Sequence, residues 1–118
     1  MRRDPRFRAG GSSSKSAAAV APGAADIALG ADEAGSVQIP ASWSGLVGVK
    51  ATHGLVPSYG MTYMDHTIDH IGPITPSVES NVRVLEVIAG EDERDPQWFR
   101  GSVPRAAKPP DSIVAYAA

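Results

Sequence analysis

The chain has 118 residues, of which 42% are apolar and 6% aromatic, with a formal net charge of −2 and no cysteine. That length suits one domain, able to bury roughly two-thirds of its unfolded surface. The near-neutral charge gives no reason to expect nucleic acid or an anionic membrane as a partner, and the cysteine count excludes disulfides, a thiolate nucleophile and Cys-ligated metal. A cysteine-free chain is compatible with a reducing compartment, and the expected location is the cytoplasm. The basic start Met1-Arg2-Arg3 has no apolar run behind it, so it is not a secretory signal. No window approaches the ~20 apolar residues of a membrane span.

Residues 1–11 are expected to be extended: Asp4-Pro5 disfavours helix, and Gly10-Gly11 permits a tight turn. Ser12-Ser13-Ser14 reads as a cap for a helix over residues 15–20. The small side chains of that helix have good helix propensity and allow close packing on a sheet. Pro22-Gly23 interrupts it. Residues 26–30 read as a short buried strand. Residues 31–36 form a loop with Gly30 and Gly35 as flexible points, and residues 39–43 make one helical turn with Pro40 early in it. Residues 46–50 are a second strand candidate.

Residues 51–74 are rich in Gly, Pro, Thr, His and Tyr and read as a long irregular stretch, the mark of a functional surface or of a segment that leans on further structure. A helix is expected next, with Thr75 as N-cap and Pro76 at its first position. Val78, Val82, Leu85, Ile88 and Ala89 give it one apolar face, and Gly90 stops it. Residues 91–95 form a charged turn. From Pro96 the prolines and scattered charges predict a poorly ordered tail over residues 97–118. There is no internal repeat.

Several motifs that suggest chemistry read better as ordinary structure. A phosphate loop would need glycine directly before Lys15 and again five residues earlier, where the chain has Ser14 and Ala9. His66 and His70 would share a helix face, but Ile71-Gly72-Pro73 follows at once and nothing around His66 is helix-like. His53, His66 and His70 are therefore read as loop histidines, and no metal is expected. The acidic cluster Glu91, Asp92, Glu93 and Asp95 lacks the glycine order of a calcium loop and reads as a solvated turn. No cofactor is expected. What remains is a pair of serine-bearing, glycine-rich loops, around Ser12 and around Ser36. Each places a hydroxyl beside free backbone N–H groups, the equipment of a serine nucleophile with an oxyanion site.

The pair carries a resemblance. Gly10-Gly11-Ser12-Ser13, Ser16-Ala17-Ala18-Ala19-Val20, Ala25-Asp26-Ile27-Ala28-Leu29-Gly30 and Asp32 are followed by Gly35-Ser36-Val37 and Ile39-Pro40-Ala41-Ser42. Gly45-Leu46-Val47-Gly48-Val49-Lys50, Thr52-His53-Gly54-Leu55-Val56-Pro57 and Thr67-Ile68-Asp69-His70-Ile71-Gly72-Pro73-Ile74-Thr75 complete the series. From residue 5 to about residue 96 the chain resembles the amidase signature family. That family's pattern is close to Gly-Gly-Ser-Ser-Gly-Gly-Ser-Ala-Ala, a spacer, Gly-Thr-Asp-Thr-Gly-Gly-Ser-Ile-Arg-Ile-Pro-Ala-Ser and Gly-Leu-Lys-Pro-Thr-Gly.

The resemblance implies an α/β fold, a mixed sheet covered by helices, of which residues 1–96 would be a partial domain and residues 97–118 the tail. It implies a Ser–cis-Ser–Lys triad that cleaves amide C–N bonds. Ser36 matches the nucleophile that forms an acyl-enzyme, and Ser12 matches the bridging serine held by a cis peptide bond. The backbone N–H groups of Glu33, Ala34, Gly35 and Ser36 match the oxyanion hole. A serine hydroxyl needs a neighbouring base, and the leaving amine must be reprotonated, so the relay has to run both ways. The implied partners are a small amide substrate and a further part of the same domain. Residues 68–73 look more like the free-standing amidases than the subunits of transamidating complexes.

Four departures qualify the likeness. The family's lysine belongs upstream of the first serine loop, and residues 1–9 hold none; Lys15 stands where the family has glycine. Ser14 and Lys15 replace two glycines, which is expected to hinder the first turn. Ala34 replaces another, which strains the loop if that residue needs φ > 0. Gln38 replaces an arginine, which would leave Asp32 without that partner. Two readings follow: an amide hydrolase acting through Ser36, or a truncated, non-catalytic fragment that is only partly folded and shows no measurable amidase activity.

Overall fold

The structure, a computed structural model, describes residues 8–95 and residue 97. The expected extended start and the expected tail fall largely outside the described residues. In chain order the elements are α1 (Ser14–Val20), β1 (Ala28–Asp32), α2 (Gln38–Trp43), β2 (Val47–Gly48), β3 (His70–Thr75) and α3 (Val78–Ile88). The sheet order is β1-β3-β2, and both pairings are antiparallel. The architecture is α/β, as expected.

α1 forms where the small-residue run predicts it, and it buries Ala17 and Val20. The serines ahead of it do not cap it. Ser13 occupies the N-cap position with no side-chain cap bond. Its hydroxyl donates instead to the Ala31 carbonyl at 3.2 Å, and the Ser16 hydroxyl donates to the Leu29 carbonyl at 2.8 Å. Two hydroxyls thus stitch the helix to β1. The approach is close enough that a Cβ on Gly30 would collide with the Ser13 side chain, which is why the strand has no side chain there.

β1 starts later than expected and runs on to Asp32. It is an edge strand, with Leu29 46% exposed, rather than the buried strand that the apolar run suggested. A short apolar run reports a strand without reporting how many neighbours it has.

β3 is the largest departure from the sequence reading, because it lies at the end of the stretch read as irregular and is the central strand. Gly72 and Pro73 hide it, since proline in a central strand ordinarily argues against one. Pro73 is tolerated because of where its missing donor points. Its carbonyl accepts from Val49 N–H at 3.2 Å. In an antiparallel pair the return bond would come from the N–H of the same residue, which proline lacks. β2 therefore pairs only over Val47↔Thr75 and Gly48↔Ile74 before the chain leaves the sheet.

α3 begins two residues beyond the expected Pro76. Thr75 is claimed by the sheet, opposite Val47, and its hydroxyl donates to the Ser77 carbonyl at 2.8 Å. Ser77 is the N-cap, its hydroxyl accepting from Ser80 N–H at 3.2 Å. The expected apolar face is only half-buried, and Val78 is 45% exposed. The helix is anchored instead by Asn81, 1% exposed, whose amide donates to the Val47 and Pro73 carbonyls at 3.2 Å and to the Thr75 hydroxyl at 3.1 Å.

The core is small: Ala17, Val37, Ala41 and Ile74, with Leu46 packed against them. Carboxylates organise what lies outside it. Asp69, 3% exposed, accepts from Met64 and Asp65 N–H at 2.6 and 3.2 Å. Asp95 accepts from both the N–H and the hydroxyl of Ser58, and Tyr63 donates to the same hydroxyl at 2.7 Å. Asp95 is therefore buried, not part of a solvated turn as expected. Burial pushes its carboxyl up, but the Ser58 and Gln97 donors outweigh this and hold it below the usual carboxylate value. Among the described residues no helix is long and apolar enough to cross a membrane.

Candidate active site

The site is built around Asp32, the last residue of β1, which is fully buried. Its Oδ1 accepts from Gly35 N–H at 2.7 Å. Its Oδ2 accepts from Val37 N–H at 2.8 Å, from Gln38 N–H at 3.3 Å and from the Gln38 side-chain amide at 3.2 Å. Lys50 Nζ lies 3.5 Å from Oδ1. Burial alone would raise this carboxyl. The donors from Val37, Gly35 and Gln38 more than offset it, and Asp32 sits below the ordinary carboxylate value. One charged side chain thus folds the whole turn from β1 into α2 around itself. Asp32 does not lack a partner: Gln38 still reaches it, and Lys50 supplies the positive charge.

The substituted glycines do little harm. Among the described residues no non-glycine has positive φ, so Ala34 is not strained, and Ser14 and Lys15 simply begin α1. The residue that needs the left-handed region is Gly35, at φ 113°, where a Cβ would lie 3.1 Å from the Ile39 side chain.

Ser36 stands in this turn, half-buried, and its hydroxyl donates to Glu33 Oε2 at 2.8 Å. The two serine loops meet through the backbone: Ser13 N–H donates to the Ser36 carbonyl at 3.0 Å. The Gly11–Ser12 peptide bond is cis, and Ser12 is exposed beside this junction. Ser12 and Ser36 do not hydrogen-bond to each other among the described residues. Lys15 is exposed on α1 and, among the described residues, makes no hydrogen bond to either serine.

Of the four N–H groups matched to an oxyanion hole, that of Gly35 is already engaged by Asp32. Those of Glu33, Ala34 and Ser36 have no acceptor among the described residues. The histidines lie elsewhere. His70 Nδ1 is 2.6 Å from the Ile68 carbonyl, the His53 and His70 rings meet edge to face at 5.3 Å, and His66 packs on Tyr63 at 4.0 Å.

Sequence reasoning missed two contributors. Glu33 was read for its backbone alone, although a carboxylate three residues before a serine in a tight turn is a local signal that could have been used. Lys50 had no local signal. Its Nζ donates to the Glu33 carbonyl and, at 3.3 Å, to the Ile68 carbonyl, from a position two residues past the end of β2.

Comparison with known proteins agrees with this arrangement. A family model described as Amidase matches residues 3–113. A glutamyl-tRNA(Gln) amidotransferase subunit from Natronomonas pharaonis is 55% identical over 86 residues, which are 73% of this chain and 20% of that protein. The crystal structure of an amidase family protein from Bacillus anthracis superposes with a TM-score of 0.81 at 31% identity, over 86% of this chain and 20% of that one. The peptide amidase of Stenotrophomonas maltophilia superposes with a TM-score of 0.76 at 40% identity, over 84% of this chain and 20% of that one. Amidotransferase subunits and a peptide amidase thus stand together among the relatives. The chain spans about a fifth of the length of the curated relatives it matches. With the paired serine loops and the Asp32-centred turn in place, this chain belongs to the amidase signature family.

Proposed function

We propose that this chain carries the nucleophile of an amide hydrolase, with Ser36 attacking the carbonyl of a small amide to form an acyl-enzyme. The observation that carries this reading is the placement of Ser36. Its hydroxyl stands in a rigid turn held by Asp32, directly against the second serine loop. The free N–H groups of Glu33, Ala34 and Ser36 are the candidates to hold the developing oxyanion, and one good donor there is worth about 2.7–4 kcal/mol of barrier. Ser12 is the candidate to relay the proton. Residues 1–96 make up this part of the domain, further parts of which would complete the acyl pocket, and the cytoplasm is where such a cysteine-free chain would work.

A second reading keeps the loops as scaffold without turnover. It is favoured by Lys15, which is exposed on α1 and among the described residues makes no hydrogen bond to either serine, so nothing marks it as a stand-in for the family's lysine. Labelling with a fluorophosphonate probe separates the two. The hydrolase reading expects an adduct on Ser36 that is absent from Ser36→Ala. An unlabelled wild-type chain with native circular dichroism supports the scaffold reading.

A further inference from the structure

In a trans peptide the carbonyl and the N–H that follows it point in opposite directions, so whatever holds the carbonyl also aims the N–H. The peptides of the turn after β1 are trans, and each can be followed to its anchor. The Gly35–Ser36 plane is held by the helix, its carbonyl accepting from Ile39 N–H at 2.8 Å. The Ser36–Val37 plane is held at both edges, by Ser13 N–H on the carbonyl at 3.0 Å and by Asp32 on Val37 N–H at 2.8 Å. Asp32 also holds the Ala34–Gly35 plane, through Gly35 N–H at 2.7 Å. The Glu33–Ala34 plane has a single clamp among the described residues, and it is a distant side chain: Lys50 Nζ donates to the Glu33 carbonyl. On the opposite edge, Ala34 N–H has no acceptor among those residues. The clamp is itself fixed, because Nζ lies 3.5 Å from Asp32 Oδ1 and donates to the Ile68 carbonyl at 3.3 Å. Those three contacts match the three donors of an ammonium group.

We infer that Lys50 is a positioning residue of the site: by holding the Glu33 carbonyl it aims Ala34 N–H as a donor to the oxyanion that forms when Ser36 attacks. The inference rests on the reading of Ser36 as nucleophile. Lys50 touches no substrate and moves no proton, so the relay assigned to Ser12 is unaffected. Its work is done before the reaction. The Glu33–Ala34 plane turns about two single bonds, one on each side of it. With the carbonyl gripped, the plane keeps one orientation and the donor is ready when charge develops, which is how preorganised donors lower a barrier. Without the grip the plane is free to flip and to present its carbonyl, an acceptor, where the donor was.

The test combines the rate of fluorophosphonate labelling of the full 118-residue chain with the amide resonances of the turn before and after labelling. The Lys50 side chain is 27% exposed, so Lys50→Met removes the donor without opening the core. It is expected to slow labelling of Ser36 about a hundredfold, the scale of a lost oxyanion donor, and Lys50→Arg to recover most of the rate. The Ala34 amide proton is expected to move downfield on phosphonylation of the wild type and to stay in place in Lys50→Met. Labelling of Lys50→Met within about threefold of wild type, well short of a lost donor, overturns the inference and leaves Ser36 as nucleophile. A slowed variant whose Ala34 resonance still moves also overturns it, since the lysine would then act through the Asp32 charge alone. An unlabelled wild type overturns the nucleophile reading and takes the inference with it. Should Lys50→Met not fold, Lys50→Cys takes its place, because the chain has no other cysteine. Alkylated while unfolded and then refolded, its aminoethyl form regains an amine of lysine's reach and is expected to label as the wild type does. Equal labelling of the aminoethyl form and a neutral carboxamidomethyl form overturns the inference.

Discussion

Two acidic regions of this molecule look alike in sequence and behave differently. Asp32 ends β1 and Glu33 opens the turn after it; the turn after α3 holds Asp92 and Asp95. Asp32 is fully buried and gathers donors from Gly35, Val37 and Gln38 together with the Lys50 charge. Asp92 sits at the surface, its carboxyl held down to about 2 by the side chain of Arg94, two residues on. Both carboxyls are depressed and both accept backbone N–H, but Asp92 takes one, from Arg94 at 3.0 Å, whereas Asp32 gathers those of Gly35, Val37 and Gln38 and so shapes a whole turn. The second is an exposed ion pair of the kind that seldom contributes measurably. A lowered carboxyl is therefore informative about structure only when the groups lowering it are counted.

This contrast can be broken or sharpened by substitution. The largest effect is expected at Asp32. Asp32→Ala leaves at least two backbone donors without an acceptor and should cost about 2–4 kcal/mol in chemical denaturation, with loss of Ser36 labelling. A preserved midpoint would mean that the turn holds its shape without its centre. Next comes acid. The native carboxyl of Asp32 lies below the unfolded value of 3.8, so its contribution is complete above that value and is lost as pH falls below it. Protection factors at Gly35 and Val37, taken relative to the intrinsic exchange rate at each pH, should fall over that range, and protection that persists unchanged in strong acid would contradict the assignment.

Asp95 provides the intermediate case. It is buried and accepts from Ser58, but it lies outside the serine loops. Asp95→Ala should lower stability by about 1–3 kcal/mol while leaving the Ser36 labelling rate as it was. A fall in labelling would show that the two regions are coupled. The smallest effect is expected for Arg94→Ala, which removes the surface pair without a detectable shift in the denaturation midpoint. A clear shift would instead point to its stacking over the Tyr59 ring, 4.7 Å away.

How much of this was legible in the sequence follows the same division. The serine loops, α1 and the short α2 were readable because their signals are local: a glycine-serine turn, an alanine run, an early proline. β3 was not, because its evidence lies on other strands. Gly72-Pro73 denies a strand on local grounds, and only pairing along the whole of β1, with β2 on the other side, overrules it. The start of α3 was displaced because Thr75, a good cap by type, is worth more to the sheet opposite Val47. Asp95 was read as solvated because nothing near it in sequence announces Ser58. At the site, the residues on the serine loops were found and the lysine that braces them was not, since Lys50 arrives through a tertiary route.

That route has a consequence for how the chain can change over generations. The absent donor of Pro73 decides where β2 peels away from the sheet, and the next residue after Val49 is the lysine that grips Asp32 and Glu33. A proline on one strand and a lysine on another are thus bound in a single inheritance. Exchange of Pro73 for a residue with an N–H would let the ladder run on and carry Lys50 out of reach, so a later change at position 50 would lose most of its effect. The two positions should be epistatic, their substitutions falling well short of additivity.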